Sequence, residues 1–255
     1  MKKNSARIII FFLVNLTLIC CQNTSIGKHQ TTNEKDTTVQ AILPIAIKDK
    51  ILTAEEQKLL RPDAVIDNLK ESNNRYLKND LTARDHSALV RDAAGGQYPK
   101  AVILSCLDSR VPVEDIFDKG IGDLFVCRVA GNFVNEDILG SMEYGCKVSG
   151  AKLVVVMGHR YCGAIKAAVD NVQLGNITAM LSKIKPAVVM TQDFKGDKSS
   201  KNDAYVTQVA INNVKNTIKN IKLKSPILKE MLDKGEIKIV GAAYDLNTGE
   251  VTFLN

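Results

Sequence analysis

The sequence predicts an α/β fold: a mostly parallel central sheet of about four strands plus an antiparallel edge strand, flanked by helices. Three observations carry that class. Short apolar runs recur at residues 101–104, 124–128, 153–157 and 237–244, each with the length of a buried strand. Segments with helical spacing and capping residues separate them, so strand and helix alternate as in a parallel sheet covered by helices. Finally, Asn247-Thr248-Gly249 turns the chain back into residues 251–254, which read as the edge strand.

The chain has 255 residues, enough for one full core. Its 45% hydrophobic and 24% charged content are those of a globular protein. Three parts are expected: a signal or lipoprotein peptide at 1–21, a tether at 22–50, and a single α/β domain with an N-terminal helical arm at 51–255. The net charge of +6 comes with no concentrated basic stripe and no RNA-binding motif, which argues against a nucleic-acid partner. No G-x-G-x-x-G follows any strand, which excludes the dinucleotide-binding reading.

Lys2, Lys3 and Arg7 make the first residues basic, and residues 8–19 are mostly apolar. That run is shorter than the ~20 residues that cross a bilayer and fits a secretory segment. It ends Leu18-Ile19-Cys20-Cys21, which resembles a bacterial lipoprotein box with Cys21 as the acylated residue. Export to a periplasmic or membrane-anchored location follows, with membrane attachment through the lipid; an uncleaved N-terminal anchor is the alternative. In an oxidising compartment a disulfide is open to Cys106, Cys127, Cys146 and Cys162. It is less expected for Cys106 and Cys162, which sit among polar residues at strand ends. Cys127 and Cys146 lie in apolar surroundings and read as buried thiols.

Residues 22–50 are polar and Thr-rich, with little to fix a structure. Thr53-Ala-Glu-Glu56 has capping-box form and starts a short helix. Pro62 suits the first turn of the next helix, where Val65, Ile66, Leu69, Tyr76 and Leu77 share a face. Residues 85–94 read as a third helix that Gly95-Gly96 ends. After the strand at 101–104, Val111-Pro112-Val113-Glu114 turns into a short helix stopping near Gly120. Residues 130–132 make a loop after the 124–128 strand, and 137–148 look helical. A helix begins at Gly163, and 192–202 is a polar surface loop. Val206, Ala210, Val214, Ile218 and Ile221 form a stripe that packs on the sheet. Ser225 and Pro226 are the N-cap and first residue of the last helix, and Gly235 stops it.

The chemistry concentrates at two strand ends. Residues 101–110 read AVILSCLDSR, an apolar run leading into a cysteine, a carboxylate and a guanidinium. Residues 153–163 read LVVVMGHRYCG and repeat the design with a histidine and a cysteine. Open α/β sheets place their sites just beyond the carboxyl ends of the strands. Of three histidines, His29 lies in the tether and His86 in an amphipathic helix; His159 alone follows a strand, three residues before Cys162. Adjacent parallel strands would bring Cys106 to that pair. Two thiols and an imidazole suit zinc, and three protein ligands leave a tetrahedral ion one open position.

Cys106-Leu-Asp108-Ser109-Arg110 with His159-Arg-Tyr-Cys162-Gly163 resembles the β-class carbonic anhydrases. So do Gly122-Asp-Leu-Phe-Val126, Arg128-Val-Ala-Gly-Asn132 and Gly140-Ser-Met-Glu-Tyr144. The resemblance covers residues 62–254. It implies one Zn2+ per chain on Cys106, His159 and Cys162, with Asp108 and Arg110 as a catalytic dyad. It further implies substrate binding by Gln97, Phe125, Ala130, Tyr144 and the Gly163 N–H. Gln97 favours the plant-type branch, in which Asp108 stays off the metal. Ala130 stands where plant members carry a larger Val, and Gly145 where Ala is usual.

The implied reaction is reversible hydration of carbon dioxide to bicarbonate and a proton, since zinc lowers the pKa of bound water from about 15.7 towards 7. Two thiolates cancel the formal charge of the metal, which implies better activity at alkaline pH. The family also implies a homodimer or tetramer, with the pocket at a dimer interface. Val65, Ile66 and Leu69 would then cover a partner, or else pack on their own domain. Two further functions fit the same motifs: hydrolysis of carbonyl sulfide or carbon disulfide, and non-catalytic binding of zinc or bicarbonate. Asp108, Arg110 and Gln97 argue against the latter, because a structural zinc needs none of them.

Overall fold

The computed structural model describes residues 50–254. The expected signal segment with Cys21 and the tether up to residue 49 lie outside the described residues. Among the described residues, no helix is long and apolar enough to cross a membrane.

Among the described residues, three helices precede the sheet. Thr53 caps α1 (Ala54–Lys58) through the reciprocal capping box with Glu56. Pro62 is the first residue of α2 (Pro62–Leu77), and the Asp85 side chain caps α3 (His86–Ala93). The sheet then begins with β1 (Ala101–Ser105), followed by α4 (Val113–Ile116) and β2 (Leu124–Arg128). Next come α5 (Glu136–Glu143), a π-helical turn at Tyr144–Val148, and β3 (Leu153–His159). Four helices follow: α6 (Gly163–Val169), α7 (Gly175–Ser182), α8 (Lys185–Val189) and α9 (Asp203–Lys224). The chain closes with α10 (Pro226–Asp233), β4 (Lys238–Tyr244) and β5 (Val251–Leu254).

The strand order is β2-β1-β3-β4-β5, with β5 antiparallel and the others parallel. The fold class read from the sequence is therefore the one observed. Every residue of β1 and β3 is buried, as continuous apolar runs in the centre of a two-sided sheet should be. Side chains alternate between two cores. Val102, Leu104, Val154 and Val156 pack towards α5, α9 and α10, while Ile103, Leu153 and Val155 meet α2 and α4. The chain goes from β1 to β2 on one side and on to β3 on the other. The crevice between the carboxyl ends of β1 and β3 is thus a topological switch point, the favoured place for a site in such sheets.

One open alternative is resolved here and one helix is refined. Val65 and Leu69 are buried in the core of their own domain, against Ile116 and Phe117, so covering a partner is not their role. The helix expected over 137–148 is present, and from Tyr144 it continues as the π turn. A Cβ on Gly145 would lie 2.6 Å from Val102 Cγ2, so glycine lets this turn press against β1. Helices α7 and α8 had no counterpart in the sequence reading.

Asp118 clamps the N-terminal arm to the sheet layer. Its carboxylate is fully buried and accepts from Arg75 Nε (2.7 Å), Arg84 Nη1 (2.7 Å), Thr82 Oγ1 (2.7 Å) and the Thr82 N–H (3.1 Å). Burial opposes its charge, but the bonds from Thr82, Arg75 and Arg84 outweigh that and bring its pKa down to about 2. A depressed carboxylate stabilises the fold above its unfolded value, 3.8, and that contribution is lost as pH falls through the folded value. Asp118→Ala is expected to cost about 3–5 kcal/mol, because it removes the fully buried carboxylate that Arg75, Arg84 and Thr82 all donate to. Urea unfolding at pH 7 measures the loss. The difference between parent and variant should shrink as pH falls from 4 to 2; a constant difference would contradict this account.

Candidate metal centre

Cys106 is the first residue past β1, and His159 is the last residue of β3. The register pairs Leu104 with Val156, so two residues further on Cys106 stands level with the end of β3. Cys162 is the N-cap of α6, three residues after His159. Tyr161, with φ +59°, makes the sharp turn that brings the second sulfur back. The two sulfurs are 3.8 Å apart, and one donor atom from each of Cys106, His159 and Cys162 lies within 4.8 Å of the others. All three residues are buried.

The imidazole is set up as a ligand by its other nitrogen. His159 Nδ1 lies 2.9 Å from the Arg160 carbonyl oxygen and therefore donates to it. That assignment leaves Nε2 with a lone pair, and Nε2 is buried without a hydrogen-bond partner. A buried acceptor without a partner is costly in a folded protein, and a cation removes the cost here. The thiols point the same way. A hydrogen bond from Cys162 lowers the pKa of Cys106 strongly, aided by the Gly131 N–H. The Cys106 sulfur in turn pushes Cys162 up, with burial adding to it. Two sulfurs 3.8 Å apart are a pair that a divalent ion would hold as thiolates. The donor set, its convergence and the orphaned Nε2 fit tetrahedral zinc.

Asp108 stands beside this group. Its Oδ1 accepts from the Arg110 N–H (3.0 Å) and Nε (2.9 Å), and its Oδ2 accepts from Nη2 (2.7 Å). The bidentate pair holds the Asp108 carboxyl well below the usual carboxylate range against an opposing desolvation. Asp108 Oδ2 is 3.9 Å from His159 Nε2. Arg128, at the end of β2, steadies the same loop by donating to the Cys106 carbonyl (3.0 Å) and to that of Asp108. The Gly131 N–H points at Cys106 Sγ (3.4 Å), which brings the neighbouring Ala130 to the same end of the sheet. Gly163 opens α6 directly after Cys162.

Other residues drawn from the sequence do not gather here. Gln97 is exposed and precedes β1, whereas the cysteine follows it, so the two stand at opposite ends of a five-residue strand. Phe125 pairs with Val102, four residues before Cys106, or about 13 Å along a strand. Phe125 meets Tyr144 edge-on at 6.4 Å, and both line an open groove of about 670 Å³ beside α5. All four cysteines among the described residues are free. Burial raises the Cys127 thiol and pushes that of Cys146 up to about 12, in keeping with a packing role.

Sequence reading missed Arg128 as a clamp and also missed Asn213 and Thr217. These two are buried polar residues on α9 that hold the loop at 131–132. Their signal was present: two polar positions on the flank of an otherwise apolar stripe.

Comparison with known proteins bears on the whole domain. The family model described as carbonic anhydrase matches residues 101–251. Carbonic anhydrase 2 of Mycobacterium tuberculosis is 34% identical over 190 residues, covering 71% of this chain and 87% of the relative. The crystal structure of the β-carbonic anhydrase CafA of Aspergillus fumigatus superposes with a TM-score of 0.59 at 26% identity, covering 76% and 90% of the two chains. Two tetrameric β-carbonic anhydrases of Sordaria macrospora supply a structure with a TM-score of 0.59, over 76% of this chain and 95% of theirs. At 22% identity this likeness speaks to fold alone. Matched in sequence along most of the domain, and carrying a buried Cys-His-Cys group where its parallel sheet changes direction, the chain belongs to the β-class carbonic anhydrases, zinc enzymes that hydrate carbon dioxide.

Proposed function

We propose that Cys106, His159 and Cys162 hold the zinc, and that Asp108 and Arg110 direct the hydration of carbon dioxide beside it. The observation that carries this reading is the partnerless, buried Nε2 of His159, which faces two thiols and lies 3.9 Å from a carboxylate locked by arginine. When bound, zinc supplies the Lewis acidity that makes water a nucleophile near neutral pH. Asp108 Oδ1 is saturated by Arg110, whereas Oδ2 accepts only one bond and keeps a lone pair free. Oδ2 therefore accepts the hydrogen of the attacking oxygen and turns that oxygen's lone pair to the carbon of the substrate. Arg110 keeps the carboxylate ionised and in one rotamer. It also keeps Asp108 from leaving the dyad, which supports the open, plant-type arrangement. The Gly163 N–H, at the start of α6, is free to donate to a substrate oxygen.

The apolar pocket is completed by a second copy of the chain. Gln97, Phe125 and Tyr144 are too far along β1 to reach the metal group of their own chain. Leu107, next to Asp108, is 66% exposed and offers an apolar surface for a partner to cover. In a homodimer or tetramer these residues would serve the neighbour's zinc. Complementation tests this. A dimer of one Cys106→Ser chain and one Gln97→Ala chain keeps one intact site if the pocket is shared, and is expected to show about half the parent's activity. Activity no greater than that of the Gln97→Ala homodimer would mean that each chain builds its own pocket.

Export rests on the basic start, the apolar residues 8–19 and the Leu18-Ile19-Cys20-Cys21 sequence. Acylation at Cys21 would anchor a periplasmic enzyme. Fatty-acid labelling in a bacterial host should mark the parent and not Cys21→Ser; equal labelling would remove the lipid from this account.

A further inference from the structure

We propose that Asn213 is a positioning residue of the metal centre, acting through Gly131 on the sulfur of Cys106. The proposal rests on the assignment of Cys106 as a ligand.

Asn213 lies in the middle of α9 and is fully buried. Its Nδ2 donates to the Gly131 carbonyl at 2.7 Å. One turn along the same face, Thr217 Oγ1 donates to the Asn132 carbonyl at 3.2 Å. The two side chains therefore grip two consecutive carbonyls of one loop. Gly131 has φ +83° and Asn132 has φ +40°, a left-handed pair that glycine and asparagine tolerate and most other residues do not. A Cβ on Gly131 would stand 2.4 Å from Cδ1 of Ile184, the N-cap residue of α8, so a larger residue there would have to displace that buried side chain.

The purpose of the loop is visible at its other face. The Gly131 N–H donates to Cys106 Sγ at 3.4 Å. A hydrogen bond to a thiolate spreads its charge and fixes the direction of its lone pairs, which sets how well the sulfur serves a metal. Asn213 holds the carbonyl of the residue whose amide reaches the sulfur, so a slack loop would carry that amide away. Neither Asn213 nor Thr217 touches the metal group. Their burial in an apolar layer, where a hydrophobic residue would pack at least as well, argues that these bonds are kept for what they position.

The test uses the full chain in five forms: parent, Asn213→Leu, Thr217→Val, Ile221→Ala and Cys106→Ser. Zinc affinity is measured by competition with a chromophoric chelator. The cobalt-substituted proteins are examined for the thiolate-to-cobalt charge-transfer band, and folding is followed by thermal unfolding. Asn213→Leu is expected to weaken zinc binding about 10- to 100-fold and to shift the charge-transfer band, as loss of an outer partner does. Thr217→Val should move both in the same direction by less. Ile221→Ala, which empties a buried apolar position on the same helix, should lower thermal stability and leave both readouts alone.

If Asn213→Leu and Thr217→Val match the parent in zinc affinity and cobalt spectrum while Cys106→Ser loses both, the positioning role is wrong and the ligand assignment stands. If Cys106→Ser itself keeps both, the ligand assignment fails and takes this proposal with it. Should Asn213→Leu not fold, Thr217→Val, which differs by one hydroxyl, decides the question alone.

Discussion

Cys106→Ser is expected to lose stoichiometric zinc and to slow carbon dioxide hydration by roughly a thousandfold or more, since the metal's acidification of water goes with it. A serine hydroxyl stays protonated, whereas the Cys106 thiol, with Cys162 and the Gly131 N–H donating to it, ionises more readily. The site then lacks one of its two negative charges and one of its soft donors, at a place that is only 4% exposed. The substitution removes little volume, so the two cores of the sheet should be untouched. Stopped-flow hydration at pH 8.5, elemental zinc analysis and circular dichroism of the same samples test the three parts together. Full turnover with one zinc per chain would show that the metal is held elsewhere.

Asp108→Asn should separate the metal from the chemistry. Zinc is expected to remain at one per chain, while kcat falls about 10²- to 10⁴-fold, the range for loss of a positioned proton acceptor. The amide keeps an acceptor oxygen but has no charge for Arg110 to hold, and its other end donates where the carboxylate accepted. The pH dependence gives a sharper test. Two thiolates offset the charge of zinc, so the metal acidifies water less than it would on three imidazoles, and the parent's rate should rise from pH 6 to pH 9. Arg110 holds the Asp108 carboxyl far below that range, so Asp108 is already ionised throughout and does not cause the rise. The asparagine variant should therefore keep the midpoint of the profile and lose its height. A midpoint that moves or vanishes would mean that Asp108 itself titrates there. A flat parent profile would remove the argument from thiolate charge.

Much of this was legible before any coordinates. The runs 124–128 and 251–254 are the strands β2 and β5 residue for residue. Thr53, Asp85 and Ser225 cap their helices with the side-chain bonds their types favour. These are local outcomes, fixed by burial of an apolar run or by a hydroxyl or carboxylate meeting the next amides, and so they can be read from neighbours in sequence. Helices α7 and α8 were missed because each is short, and neither has a side-chain cap. They hold together by packing over α6 and α9 around Leu181 and Ile184, contacts made with segments distant in the chain.

The site divides in the same way. The candidate donor set was readable from neighbours in sequence: Cys106, His159 and Cys162 stand at or just past the ends of two apolar strands, and their types suit zinc. Asp108 and Arg110, two residues apart, could also be paired on local grounds. Tertiary structure decided what each donor does. The Arg160 carbonyl selects the tautomer of His159, and α9 reaches across from more than fifty residues away to hold the loop that contacts Cys106. It also decided that Val65 and Leu69 belong to their own core, and that Gln97, Phe125 and Tyr144 stand away from the metal group of their own chain. A strand ending carries its side chains with it. Which distant helix, loop or second chain comes to face that ending depends on how the sheet is ordered and covered.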